Sequence, residues 1–140
     1  MMCHSSSFIS GILQHGVTSF CPTLVTSPAD FYKRTLPKLS RRQGGKQGAQ
    51  VLGAHVEGPF INKEKKGAHN PMYIQPGAPN GVETMFECYG NFDNVSIITV
   101  APELPGILDL IPHIVEKNVV VSIGHSTANF ALAEDAVSSF

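Results

Sequence analysis

A chain of 140 residues, 42% hydrophobic and 15% charged, has the make-up of one ordinary globular domain, which excludes disorder as the default. Its formal net charge of −1 excludes a chain-wide attraction to nucleic acid or an anionic membrane, and no apolar run approaches the ~18 residues that span a bilayer. Cys3, Cys21 and Cys88 are odd in number, far apart and without a Cys-x-x-Cys pair, so neither a disulfide framework nor a thiolate metal site is expected. Residues 1–7 lack the positive start and long apolar core of a secretory signal, and the expected setting is a reducing one, the cytoplasm.

In chain order, Phe8, Ile9, Ile12 and Leu13 recur at helical spacing and Gly16 is placed to end that helix. His4 and His15 have no metal partner nearby in sequence and read as surface or helix-end residues. Residues 17–21 carry strand formers and are stopped by Pro22, residues 23–28 read as a loop and helix start, and residues 30–39 as a helix that Pro37 must kink or end.

Residues 40–50 are polar and Gly-rich, the clearest connector in the chain. Gly44, Gly45 and Lys46 give it a superficial likeness to a phosphate loop, but Lys46 is followed by Gln47 and a strand rather than by Ser or Thr and a helix. The cations Lys33, Arg34, Lys38, Arg41, Arg42 and Lys46 have no aromatic residues among them for base stacking, which favours a solvated loop over a nucleic-acid surface.

Residues 51–57 form the central strand, an apolar run that ends in Glu57 and is stopped by Gly58-Pro59. In parallel α/β sheets that end of a strand is where ligands bind, so Glu57 is a site candidate, with an N-cap or a surface ion pair as the plainer alternative. His55 shares a face with Glu57 by strand alternation and lies one layer deeper, where a packed interior role is expected. His69 lies in the following loop and is expected to be more accessible to a ligand.

Residues 76–81 make a turn, residues 82–89 a short helix, residues 95–101 a strand closed by Pro102-Glu103, and residues 104–117 a helix with Pro112 inside it. Residues 119–123 form the last strand, ending in Gly124-His125-Ser126, and residues 126–129 open a final helix. Strands ending near Cys21, Glu57, Ala101 and His125, alternating with helices, are the pattern of βαβ units in a parallel sheet. In one such sheet Glu57 and His125 project from the same edge, and a carboxylate with an imidazole suits a hard or borderline divalent metal, zinc first. A catalytic zinc ordinarily takes three protein ligands and leaves a position for water.

His55-Val56-Glu57-Gly58-Pro59-Phe60, Lys66-Gly67-Ala68-His69-Asn70-Pro71, Ala101-Pro102-Glu103 and Gly124-His125-Ser126, preceded by residues 16–23, closely resemble the N-acetylglucosamine-6-phosphate deacetylase family of the amidohydrolase superfamily in motif, order and spacing. The resemblance implies a metal-dependent (β/α)8 barrel that hydrolyses the acetamide of N-acetylglucosamine 6-phosphate to glucosamine 6-phosphate and acetate. It implies that Glu57 and His125 are metal ligands, and that Ala68 and His69 contact substrate, His69 polarising the carbonyl. It also implies a small amino sugar phosphate as partner, no nucleic acid or membrane, and room for a homodimer in the full-length family. The family's second histidine ligand, catalytic aspartate, phosphate-binding residues and first barrel strand are expected outside residues 1–140. About four βα units of a partial barrel are therefore expected, and the alternative to an enzyme is a truncated, catalytically incompetent fragment or isoform.

Overall fold

The computed structural model describes residues 3–139, with side chains from residue 7 onward. The readings of residues 1–2, and of the Cys3 and His4 side chains, lie outside what is described.

Helix α1 (Cys3–Gln14) ends as Gly16 requires: Gly16 adopts φ +83°, its N–H donates to Leu13 O at 3.0 Å and the Val17 N–H to Ile12 O at 3.2 Å. The strands that follow differ from the sequence expectation. Residues 17–21 do not form one strand stopped at Pro22; they give β1 (Ser19–Phe20), and the chain resumes as β2 (Thr23–Val25) where a loop was expected. Pro22 is tolerated because it sits where the strand changes partner, and its carbonyl still accepts from the His55 N–H at 2.9 Å. Helix α2 (Ala29–Thr35) gives way to a 3₁₀ turn, Leu36–Lys38, at Pro37. The connector folds back as a small antiparallel turn, with Gly45 bridged to Gly48 and Arg42 to Val51.

The central strand is likewise two pieces, β3 (Gln50–Val51) and β4 (Ala54–Glu57), separated at Gly53, whose φ of +114° breaks the extended run. The remaining elements are a 3₁₀ turn Lys63–Lys65, α3 (Val82–Tyr89), β5 (Val95–Val100), α4 (Ile107–Val115, with Pro112 inside), β6 (Val120–Ile123) and α5 (Phe130–Ser138). No helix among the described residues is long and apolar enough to cross a membrane.

All strand pairs are parallel. β1 pairs with β3, and a four-stranded sheet runs β2-β4-β5-β6, in chain order without reversal. Its register sets Val25 beside Glu57, Glu57 beside Thr99 and Thr99 beside Ser122. The strand end expected near Cys21 is therefore at Val25.

Strand alternation divides the two faces. Val56, Ile98 and Val121 point into one core with Tyr32 of α2, Met85 and Tyr89 of α3, Ile107, Ile111 and Ile114 of α4, and Ala136 of α5. Each such large side chain, once buried, contributes about 1.5–3 kcal/mol. The alternate residues, Thr23, Val25, His55, Glu57 and Thr99, face the other way, and Val25 (53% exposed) and Val120 (62% exposed) sit on the two edge strands. The connector precedes β3, at the edge where strands begin; Glu57 and His125 stand at or just beyond strand ends, on the opposite edge.

Candidate functional site

Glu57 is the last residue of β4, and the backbone behind it is clamped. Gly58 turns at φ +82°, where an added Cβ would collide with Thr26 Oγ1. The Gly58 carbonyl accepts hydrogen bonds from the buried hydroxyls of Tyr89 (3.0 Å) and Tyr32 (3.2 Å). Tyr32 also reaches the Val25 carbonyl at 3.1 Å and accepts from the Ser27 N–H at 3.1 Å, so one phenol ties the ends of β2 and β4 together.

The structure brings Glu57, His69 and His125 into one cluster, with one nitrogen or oxygen from each within 4.8 Å of the others. His125 Nε2 lies 3.0 Å from Glu57 Oε1, His69 Nε2 lies 3.9 Å from Glu57 Oε2, and the two rings meet edge to face at 4.7 Å between centroids. Ala68, beside His69 in the loop, is exposed.

The second nitrogen of each ring separates their chemistry. His125 Nδ1 is 2.8 Å from the Lys65 carbonyl, which only accepts, so Nδ1 carries a proton; Nε2 faces the Glu57 carboxylate, an acceptor too, and is the nitrogen whose proton a metal ion would displace. His69 Nδ1 accepts from the Thr26 N–H at 3.2 Å, with Thr26 Oγ1 2.8 Å away, so the neutral ring carries its proton on Nε2, the nitrogen facing the cluster. His125 thus turns toward the cluster the nitrogen that its Lys65 bond leaves for a ligand, and His69 a donor. Burial first, and then the His125 ring, push the His69 pKa below its ordinary value against the pull of Glu57, which keeps this donor neutral. The Lys65 carbonyl, followed by Glu57, raises that of His125.

His69, expected to be the more accessible of the two histidines of the central stretch, is 7% exposed. The Thr26 backbone closes its rear and the His125 ring its side. His55 lies below the cluster with partners on both neighbouring strands: Thr23 Oγ1 at 3.1 Å from Nδ1 and Thr99 Oγ1 at 2.8 Å from Nε2. Both of its nitrogens are engaged away from Glu57, and burial lowers its pKa.

Two participants escaped the sequence reading. Thr26 fixes the His69 tautomer, and Glu103, noted only within its Ala-Pro-Glu triplet, accepts from Asn62, Ser126 and Thr127 around the loop that carries His125. The strand-end position of Glu103 was the available signal; nothing local marked Thr26, whose partner is 43 residues away.

No family model matches the chain. Among curated proteins it is 48% identical over 126 residues to N-acetylglucosamine-6-phosphate deacetylase of Danio rerio and 47% identical over 126 residues to that of Homo sapiens, in each case over 90% of this chain and 31% of the relative. Among solved structures, N-acetylglucosamine-6-phosphate deacetylase from Thermotoga maritima superposes with a TM-score of 0.77 at 29% identity, over 96% of this chain and 35% of that one. The chain thus spans about a third of the length of the relatives it matches, and the resemblance drawn from the motifs is borne out over nearly its whole extent.

Proposed function

We propose that this chain, a partial counterpart of the N-acetylglucosamine-6-phosphate deacetylases, carries the metal-holding and carbonyl-polarising part of an active site that hydrolyses the acetamide of an N-acetylated amino sugar phosphate. The observation that carries this reading is the meeting of Glu57, His69 and His125 at the strand-end edge of a parallel sheet, with Nδ1 of His125 bound to a carbonyl and Nδ1 of His69 to an N–H.

The donor set fits a divalent ion. Glu57 and His125 would hold it, and a carboxylate with an imidazole suits zinc. When bound, such an ion supplies a Lewis-acid centre that makes water nucleophilic near neutral pH. The protein's own residues do the rest that is visible here. His69 Nε2–H donates to the carbonyl oxygen as negative charge develops on it, the Thr26 N–H on Nδ1 keeping the ring in the tautomer that can do so. The Lys65 carbonyl holds the His125 ring in the opposite tautomer.

The sheet order without reversal, with α2 to α5 contributing to a core on one face, supports about half of a (β/α)8 barrel, because right-handed crossovers that always step to the next strand curl the sheet toward closure. The unpaired cysteines Cys21 and Cys88 suit a reducing cytoplasm. A second reading, that the 140 residues alone do not catalyse, is favoured by the cluster itself. With His69 committed as a donor, Glu57 and His125 leave two ligands where a catalytic zinc takes three.

The test is a chimaera in which these residues replace the matching segment of the Danio rerio enzyme. It should release acetate from N-acetylglucosamine 6-phosphate, and Glu57→Gln within it should abolish release. A folded chimaera that releases none would sink the proposal.

A further inference from the structure

We propose that Glu103 is a positioning residue for the metal site: through Asn62, Ser126 and Thr127 it fixes the loop after β6 so that His125 keeps its Nε2 aimed at the position shared with Glu57. This rests on the reading of Glu57 and His125 as ligands.

His125 is one of two described non-glycine residues at positive φ, +51°, a conformation that side chains resist and that persists only where the surroundings impose it. The imposing contacts can be traced. Glu103 Oε2 accepts from Ser126 Oγ at 2.6 Å; Oε1 accepts from the Thr127 N–H at 2.6 Å, Thr127 Oγ1 at 3.1 Å and Asn62 Nδ2 at 2.9 Å. The proton count closes without conflict. The second Asn62 Nδ2 proton goes to Thr127 Oγ1 at 2.9 Å, leaving the Thr127 hydroxyl proton for Glu103, and Ser126 Oγ accepts from the Ala128 N–H at 2.9 Å. Every group meeting the carboxylate is a donor, so only an ionised acid satisfies them all.

Asn62 carries the hold to the other side of His125. Its N–H donates to the His125 carbonyl at 2.8 Å, and its Oδ1 accepts from the Glu64 N–H at 2.8 Å, capping the short 3₁₀ turn whose last residue, Lys65, supplies the carbonyl bound by the His125 ring. One carboxylate just beyond the end of β5 thereby governs both the main chain and the ring partner of a residue just beyond β6. Glu103 touches neither ring nor ligand atom. Its influence is geometric.

The test uses the 140-residue chain labelled with ¹⁵N-histidine, compared with Glu103→Gln, Glu103→Ala and Glu103→Asp. Long-range proton–nitrogen spectra above neutral pH read the His125 tautomer, and competition with a chromophoric chelator reads zinc affinity. The wild-type chain should show His125 with Nδ1 protonated, and with zinc bound Nε2 should be free of its proton. Glu103→Gln and Glu103→Ala should give a mixture of both neutral tautomers and lose roughly tenfold or more in zinc affinity, the usual effect of removing a residue that orients a ligand, and Glu103→Asp should restore part of both. Glu103→Gln keeps the shape of the side chain, so it carries the same readouts should Glu103→Ala not fold. A lower melting temperature with tautomer and affinity unchanged would overturn the proposal. If wild type and Glu57→Gln bind zinc equally, the metal reading is what fails, and the tautomer spectra still decide the part played by Glu103.

Discussion

Two imidazoles 4.7 Å apart differ because their far nitrogens meet opposite partners, a carbonyl for His125 and a backbone N–H for His69, and the roles proposed above rest on that difference. In the chimaera, Glu57→Gln or His125→Ala should therefore lose the metal along with acetate release, as metal analysis after gel filtration would show. His69→Ala should retain the metal and slow the chemical step by about 10²–10³-fold, the usual loss for an oxyanion donor; a His69→Ala protein without metal would make His69 a ligand instead. Glu103 gives a pH prediction. Burial opposes its ionisation, but hydrogen bonds from Ser126, Thr127 and Asn62 outweigh it and hold the carboxyl at about 2, against an ordinary value of 4.5. A folded pKa below the unfolded one means that the unfolded chain binds more protons in this range. The stabilisation is complete above pH 4.5 and is lost as pH falls toward 2. Acid unfolding followed by circular dichroism should show this loss in the wild type and a flatter slope in Glu103→Gln. The meeting of Glu57 and His125 was legible because strand ends advertise themselves in sequence. The burial of His69 was not, since it depends on Thr26 arriving from β2.

Among the elements, α3 was legible residue for residue and α4 and β5 nearly so, because their apolar spacing matches a helix or a strand packed on one side. The broken strands were not. A proline and a glycine read locally as stops, whereas here Cys21-Pro22 and Leu52-Gly53 interrupt neighbouring strands at matching levels, and the Leu52 N–H still donates to Phe20 O at 3.0 Å. Whether such a break ends a strand or passes it to another partner is decided by the adjacent chain. Two substitutions probe how the elements support the site. Ile111→Ala removes a fully buried side chain of α4 and should cost about 2–5 kcal/mol in urea unfolding. Gly58→Ala meets both a φ of +82° and the Thr26 hydroxyl, and should cost about 1–3 kcal/mol while disturbing the His69 ring signals. Unchanged His69 resonances would show that the clamp behind Glu57 does not reach the site.

For the molecule as a whole, the sequence order of the strands is also their order in space, which is why the alternating pattern alone was enough to place Glu57 and His125 on one edge. Val25 and Val120, on the edge strands β2 and β6, are both exposed. On the second reading proposed above, the purified 140-residue chain should bind zinc weakly and release acetate no faster than a metal blank. Robust release that disappears in Glu57→Gln would show that these residues complete a site by assembly. Finally, the connector with its tip at Lys46 and Gln47, both exposed, lies at the strand-start edge, opposite Glu57 and His125. Lengthening a flexible loop costs only about 0.6 kcal/mol per doubling. An engineer could thus splice a reporter domain or an affinity handle into that tip and leave the cluster untouched, whereas the same cargo placed between Pro59 and His69 would separate His69 from Glu57.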